Sequence, residues 1–129
     1  MASRAEPPQE ALSLAEARWV RIMVDYCADG VWHPDGCAGH AEELPVDAGL
    51  IARIRRWQEW YDTESKDYLP PEERTGQFDL AAFAAEGLAI ARAVKAALPD
   101  WTVIYFDEAA CRLDAPRESF EYEIILPPP

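Results

Sequence analysis

Two thiols and two imidazoles lie close together in a glycine-rich part of the chain, at Cys27, His33, Cys37 and His40. Thiolate sulfur and imidazole nitrogen are ligands that bind tetrahedral zinc in proteins. Structural zinc sites usually begin with two cysteines only a few residues apart, whereas Cys27 and Cys37 are ten positions apart. The spacing therefore favours a reduced Cys27 in the core beside loop histidines. We predict no cofactor, with zinc at these four residues as the alternative.

A cysteine nucleophile in the same segment would need a base and a thiol that ionises easily. Either histidine could act as the base for Cys37, but the segment also holds three aspartates that raise the thiol pKa, Asp25, Asp29 and Asp35. Carboxylate pairs such as Glu42 and Glu43 are adjacent in sequence, so in an extended segment their side chains point apart. No glycine pattern matches a nucleotide-binding loop. The sequence favours a non-catalytic protein and leaves an enzymatic function open.

The run 57–62 of a predicted helix combines aromatic with acidic residues and follows Arg53 and Arg56. Leu50, Ile54, Trp57 and Tyr61 form the apolar stripe of this helix, and Trp60 lies at the edge of that stripe. Tryptophan is enriched among residues that anchor protein interfaces. We predict a partner-binding set of Trp32, Glu59, Trp60, Asp62 and Glu64. The alternatives for Trp60 are stacking on Arg56 or packing beneath the 64–77 loop.

The charge balance bears on the kind of partner. The chain has 24 acidic and 12 basic residues, a net charge of -12, together with five tryptophans and 50% hydrophobic residues. Such a sequence can build a core, unlike a disordered acidic tail. Its charge disfavours nucleic acid and anionic membrane and favours a basic protein, although an acidic surface can also serve solubility alone.

The compartment is predicted from what the chain lacks. No stretch approaches the about 20 apolar residues that span a bilayer. Residues 1–9 do not resemble a secretory signal, and three cysteines do not form a disulfide framework. We therefore predict a cytoplasmic protein.

Periodicity and turn residues predict a single α+β domain over 9–126, after a disordered segment 1–8 and before a proline tail 127–129. Within it we expect a short helix over 9–17, a strand over 18–26, a loop over 27–45, a helix over 47–63, a loop over 64–77, a helix over 79–98, and a hairpin of strands 101–108 and 119–126. The order β-α-α-β-β predicts a two-layer sandwich, with a three-stranded, mostly antiparallel sheet and both helices on one face. Gly87 lies in the buried stripe of the second helix, which indicates close approach of another backbone there.

The run Trp57–Asp62, the helix Phe78–Leu98 and the strand Val103–Glu108 together resemble small acidic bacterial proteins of the immunity type. The resemblance covers most of the chain and concerns its size, its charge and its general residue pattern. It implies a non-catalytic inhibitor that binds and neutralises a basic toxin or enzyme, and it carries over no individual binding residue. Two alternatives stay open: a small-molecule or metal-binding domain that uses the 27–45 loop, and an accessory domain of a larger assembly.

Overall fold

The computed structural model describes residues 13–66, 69–73, 78–112 and 114–127. The predicted disordered segment 1–8, the first part of the predicted 9–17 helix and the last two residues of the proline tail lie outside this part of the chain. Parts of the 64–77 loop lie outside it as well.

The described residues form three α-helices, and each begins at a side chain that accepts a hydrogen bond from the first turn. They are α1 (Leu14–Ala17), α2 (Ala48–Glu64) and α3 (Leu80–Ala97), capped by Ser13, Asp47 and Asp79. Such caps satisfy backbone N–H groups that have no partner within the helix. The two long helices are therefore confirmed close to their predicted bounds. None of the helices in the described residues is both long and apolar enough to cross a membrane.

In the described part of the chain the sheet contains four strands, not the three that the sequence predicted. They are β1 (Trp19–Ile22), β2 (Val31–Trp32), β3 (Thr102–Phe106) and β4 (Glu121–Glu123), in the order β2-β1-β3-β4. The additional strand β2 lies within the predicted 27–45 loop.

The first predicted strand, 18–26, is shorter than expected because the chain turns back after it. The turn includes the Ala28 N–H bond to the Asp25 carbonyl and positive φ angles at Cys27 and Gly30. It returns Val31 to pair with Ile22. A two-residue strand has too short an alternating pattern to be recognised in sequence.

The sheet is mixed. Strand β1 pairs in parallel with β3, and the β1–β2 and β3–β4 pairs are antiparallel. Helices α2 and α3 lie between β1 and β3 in the chain, and a parallel pair requires a long crossover of this kind. The predicted hairpin of the last two strands is confirmed.

The core lies between one face of the sheet and the helices. Val20, Ile22, Val103 and Tyr105 alternate along β1 and β3 and are at most 1% exposed. The Trp57 ring of α2 stacks on Phe83 of α3 at 5.1 Å between centroids, and its Nε1 donates to the Phe83 carbonyl oxygen at 3.0 Å. The Tyr105 hydroxyl donates to the Ala84 carbonyl oxygen at 2.6 Å, which joins the sheet to α3. The polar atoms of these buried rings are thus hydrogen-bonded.

Gly87 is buried where α3 meets these rings. A Cβ atom at this position would lie 2.5 Å from Cζ2 of Trp57 and 3.0 Å from Cε1 of Tyr105. The predicted close approach is present, but the predicted neighbour was wrong. Aromatic side chains, not another backbone, take the space that a glycine leaves.

Candidate partner-binding surface

The segment that leads from β1 to β2 is hydrogen-bonded to α2. The buried Gln58 donates from Nε2 to the Asp25 carbonyl oxygen at 2.7 Å and to Oδ1 of Asp62 at 3.0 Å. The same Oδ1 accepts the Cys27 N–H at 3.2 Å. These bonds hold the segment against the second half of the helix.

Arg55 joins α2 to the 27–45 loop at two points. Its guanidinium contacts both carboxylate oxygens of Asp29 at 3.2 Å and Oε2 of Glu42 at 3.0 Å. The hydrogen bond with Asp29, followed by that with Glu42, raises the pKa of the Arg55 guanidinium. Asp29 also accepts the Ala41 N–H at 2.6 Å. We call Arg55, Asp29 and Glu42 the Arg55 clasp, because together they hold the loop on the helix.

A shallow groove runs along α2 beside the clasp, with a volume of about 450 Å³. Its lining combines small apolar side chains with charged ones: Glu42, Ala48, Ile51, Ala52, Arg55, Arg56 and Glu59. We call this the α2 groove. A smaller cavity of about 270 Å³ adjoins it through Arg55 and is lined mainly by loop residues. An apolar floor with a charged rim suits a long side chain that has an aliphatic stem and a polar end.

The predicted partner-binding residues of α2 differ in their surroundings. Glu59 and Glu64 are exposed, and Glu59 lines the α2 groove. Asp62 is half-buried and is engaged with Gln58 and Cys27. Its carboxylate therefore has a structural role in joining helix and loop.

Trp60 is half-buried, as its place at the edge of the stripe predicted. Its ring meets Phe78 and Phe83 edge-on, with centroid distances of 6.1 and 5.2 Å. These contacts place it over the start of α3. Among the described residues, the guanidinium that stacks on an aromatic ring is that of Arg21, on Trp19, and not Arg56 on Trp60.

Trp32 lies apart from the α2 residues. It stands on β2 opposite Arg21, whereas the neighbouring Val31 stands opposite the core residue Ile22. Its side chain is therefore on the face of the sheet that points away from α3, and its Nε1 donates to the Met23 carbonyl oxygen at 2.9 Å. The structure thus brings Glu59, Trp60, Asp62 and Glu64 onto one helix and leaves Trp32 on another surface.

The four cysteine and histidine residues of the 27–45 loop have different environments. Cys27, Cys37 and His40 are exposed, while His33 is 9% exposed. The expected core position of Cys27 was wrong, because the turn after β1 gives it a φ of 64° and turns it to the surface. Within the described residues, no three His, Cys, Asp or Glu side chains are grouped closely enough to hold a metal ion.

The thiol of Cys37 is poorly suited to act as a nucleophile. A hydrogen bond with the Asp35 carboxylate, and then the charge of that carboxylate, raise the pKa of the Cys37 thiol. This confirms the expected effect of a flanking aspartate. A small-molecule function of the loop stays a prediction; neither cavity described above is lined by Trp32, His33 or Cys37.

Glu43 fixes the end of the loop to α1. Its carboxylate accepts the Leu14 N–H at 3.0 Å and the His40 N–H at 2.8 Å, and it lies 3.4 Å from Nε2 of His33. Partial burial opposes its ionisation, but the two backbone hydrogen bonds and His33 outweigh this, so the pKa of the Glu43 carboxyl is lowered. The loop is therefore held by carboxylates at both ends.

A comparison with protein families identifies the kind of protein to which this surface belongs. A family model described as Serratia CdiI immunity protein-like matches residues 18–108, which is more than half of the chain. The chain belongs to this family. The resemblance to immunity proteins that the sequence indicated is confirmed. No curated protein matches the chain significantly.

In this member of the immunity-protein-like family, the match extends from the start of β1 to just beyond β3 and includes the Arg55 clasp and the α2 groove. Strand β4 lies outside it. Sequence reasoning missed Asp29, Glu42 and Arg55 as one cluster. Asp29 and Arg55 are 26 positions apart, and no periodic pattern connects a loop aspartate with a helix arginine.

Proposed function

We propose that this immunity-family protein binds a basic toxin protein through the α2 groove and the exposed carboxylates of α2, and neutralises that toxin without catalysis. The observation that carries the proposal is the charge left exposed on α2. Glu59 and Glu64 are exposed and make no ion pair with any described residue.

Two of the three arginines of α2 pair with carboxylates of the chain itself, whereas Arg56 is exposed and lines the groove with Glu59. Arg55 is engaged in the clasp. Arg53 makes two hydrogen bonds to Glu86 of α3, at 2.7 and 2.9 Å. Arg56 is close enough to lower the pKa of Glu86, although less than Arg53 does. The carboxylates at 59 and 64 therefore remain available to a cationic partner.

The groove supports a contact with lysine or arginine side chains in particular. Ala48, Ile51 and Ala52 provide an apolar floor for a methylene stem, and Glu59 provides a carboxylate for the charged end. An acidic surface also increases the rate at which a basic protein encounters it. Trp60 packs on Phe78 and Phe83 and does not line the groove.

We place this function in the cytoplasm. All three cysteines, Cys27, Cys37 and Cys111, are free and exposed. Exposed thiols without disulfide partners are typical of a reducing compartment. Recovery of the protein with its thiols oxidised from intact cells would contradict this assignment.

The test uses a basic toxin protein from the organism that produces this chain, and a Glu59→Lys/Glu64→Lys double variant. We expect the association rate to fall by about tenfold, because both substitutions place cations on a surface that attracts cations. Titration calorimetry and stopped-flow fluorescence measure binding, and growth of toxin-producing cells measures neutralisation.

Asp114→Lys is the control, because Asp114 is exposed, makes no ion pair with a described residue and lies in the connection between β3 and β4. A double variant that binds and protects as well as the wild type would refute the site. Failure of the wild type to bind that toxin would refute the proposed function itself.

A further inference from the structure

Exposed apolar side chains are concentrated at the end of the chain that follows the family match. The large hydrophobic residues exposed in the described part are Leu80 on α3 and three members of Tyr122–Leu126: Tyr122 at 38%, Ile125 at 72% and Leu126 at 38%. Ile124 between them is 5% exposed and belongs to the core. Burial of Ile124 anchors this segment and holds its neighbours at the surface. Such a concentration of exposed apolar residues is typical of an interaction site.

The same segment contains the outer strand of the sheet. Strand β4 is last in the order, and its bonds to β3 include Ile124 N–H to the Val103 carbonyl oxygen at 2.8 Å and Asp107 N–H to the Phe120 carbonyl oxygen at 2.7 Å. Backbone groups alternate in direction along an antiparallel strand. Those of Glu121 and Glu123 consequently point away from β3, toward an edge where no other described strand pairs. An edge of this kind is a template for a further strand.

The charge around this edge is acidic. Glu118 and Glu123 are exposed and make no ion pair with a described residue. Glu121 differs, because Arg21 at 3.2 Å and Arg117 at 3.0 Å neutralise it and its side chain is only 12% exposed. The edge therefore combines apolar side chains with unpaired carboxylates.

These charges decide between a second copy of the chain and a different partner. Antiparallel pairing of two copies about Glu123 would set the unpaired Glu123 carboxylates of the two copies opposite each other. Like charges directly opposite each other destabilise a strand pair. Each copy also has a net charge of -12. A segment that carries lysine or arginine beside apolar residues has the complementary chemistry.

We infer that the edge of β4 together with Tyr122–Leu126 is a second docking surface, and that it takes up an extended, cationic and apolar segment of another protein as an additional strand. The smaller cavity beside the α2 groove lies near β2, because Ala38 in its lining forms a β-bridge with Trp32. Strands β2 and β4 are at opposite ends of the sheet. The two surfaces are therefore separate. This inference goes beyond the proposed function, and its test does not require the toxin.

The probe is a short capped peptide that alternates lysine and valine, added to the isotopically labelled protein and followed by NMR. We expect the amide signals of Glu121 and Glu123 to shift most, because their N–H groups face the open edge. A peptide that alternates glutamate and valine should leave these signals unchanged. Shifts confined to the α2 groove, the absence of any shift, or dimerisation of the protein through β4 would each overturn the inference.

Variants of β4 and the residues after it test which groups contribute to peptide binding. Ile125→Ser should weaken peptide binding by about fivefold, since it removes an exposed aliphatic side chain from the contact. Leu80→Ser is the matched control on α3 and should leave the affinity unchanged. Glu123→Pro removes an N–H that faces outward, a position where an edge strand tolerates proline. Circular dichroism checks that the Glu123→Pro protein folds. If both Ile125→Ser and a folded Glu123→Pro bind the peptide as the wild type does, the inference is overturned.

Discussion

At the scale of single residues, Gly87 shows how the core depends on one absent methyl group. The residue lies in the middle of α3, where glycine costs about 1 kcal/mol relative to alanine. Its position allows the Trp57 and Tyr105 rings to approach the helix closely enough for each to hydrogen-bond a carbonyl of α3. The local cost to the helix is therefore offset by the contacts between three elements.

We expect Gly87→Ala to lower the free energy of unfolding by about 1–2 kcal/mol, because the overlap with Trp57 outweighs the gain in helix propensity. Urea denaturation followed by tryptophan fluorescence measures the change. Ala85→Gly on the exposed side of α3 is the control and should cost about 1 kcal/mol through propensity alone. A Gly87→Ala protein more stable than the wild type would show that the rings have room to move.

Glu59 and Trp60 show how adjacent residues of one helix take different roles. Successive positions are about 100° apart around a helix, so Glu59 points into solvent at the groove while Trp60 turns toward α3. The acidic side chain is available to a partner and the aromatic ring packs within the protein. Partner binding is for this reason proposed for Glu59 and Glu64 and not for the aromatic residue between them.

At the scale of elements, the 27–45 loop acts as a structured connection between the sheet and α2. Glu43 binds it to α1, the Arg55 clasp binds it to α2, and β2 places its centre in the sheet. A long loop without such bonds would leave one wall of the groove undefined. The carboxylates of the loop thus mainly hold it in place against α1 and α2.

Glu43→Gln should lower the free energy of unfolding by about 1–3 kcal/mol at neutral pH, because a charged acceptor of two backbone N–H groups is lost. The pKa of Glu43 is lowered in the folded state, so the unfolded chain takes up the proton first as pH falls. The stabilisation is complete above the ordinary value of 4.5 and is lost as pH falls through the lower value of the folded protein.

The difference between wild type and Glu43→Gln should therefore shrink below that pH. Chemical denaturation at a series of pH values measures it. The control is Glu42→Gln, whose carboxylate is 63% exposed and pairs with Arg55, and which should cost less than about 1 kcal/mol. A difference that stays constant to strongly acidic pH would mean that Glu43 does not act through its charge.

At the scale of the whole molecule, the surplus of 24 acidic over 12 basic residues leaves carboxylates without an ion-pair partner. Five described arginines, at 18, 21, 53, 55 and 117, make ion pairs with carboxylates of the chain itself. Several carboxylates, including Glu59, Glu64 and Glu123, have no such partner among the described residues. An approaching protein therefore meets unpaired carboxylates on both proposed surfaces, together with Arg55 and Arg56 at the α2 groove.

We expect the association rate with the basic toxin to fall by about tenfold between low salt and physiological salt, because mobile ions screen long-range attraction. The dissociation rate should change much less, since it depends on short-range contacts. Stopped-flow mixing at several ionic strengths measures both rates. An association rate independent of salt would show that charge does not guide the encounter, even if the complex forms.

Much of the fold and part of the site were predictable from local sequence. Asp47 and Asp79 cap helices whose apolar stripes repeat within a few residues, and the final two strands follow each other in the chain and pair antiparallel. The acidic composition and the immunity-type resemblance were also present in the sequence alone. Each of these features depends on residues that are neighbours in the chain or on totals over it.

The tertiary structure alone decided which distant segments meet. The parallel pairing of β1 with β3, the strand β2, the Arg55 clasp and the rings beside Gly87 all join residues that lie far apart or follow no regular spacing. The same holds for the separation of Trp32 from Glu59, since one belongs to a sheet face and the other to a helix on the opposite side. The periodicity of apolar residues indicates which face of a helix or strand is buried. Which other element packs on that face depends on packing and charge in three dimensions.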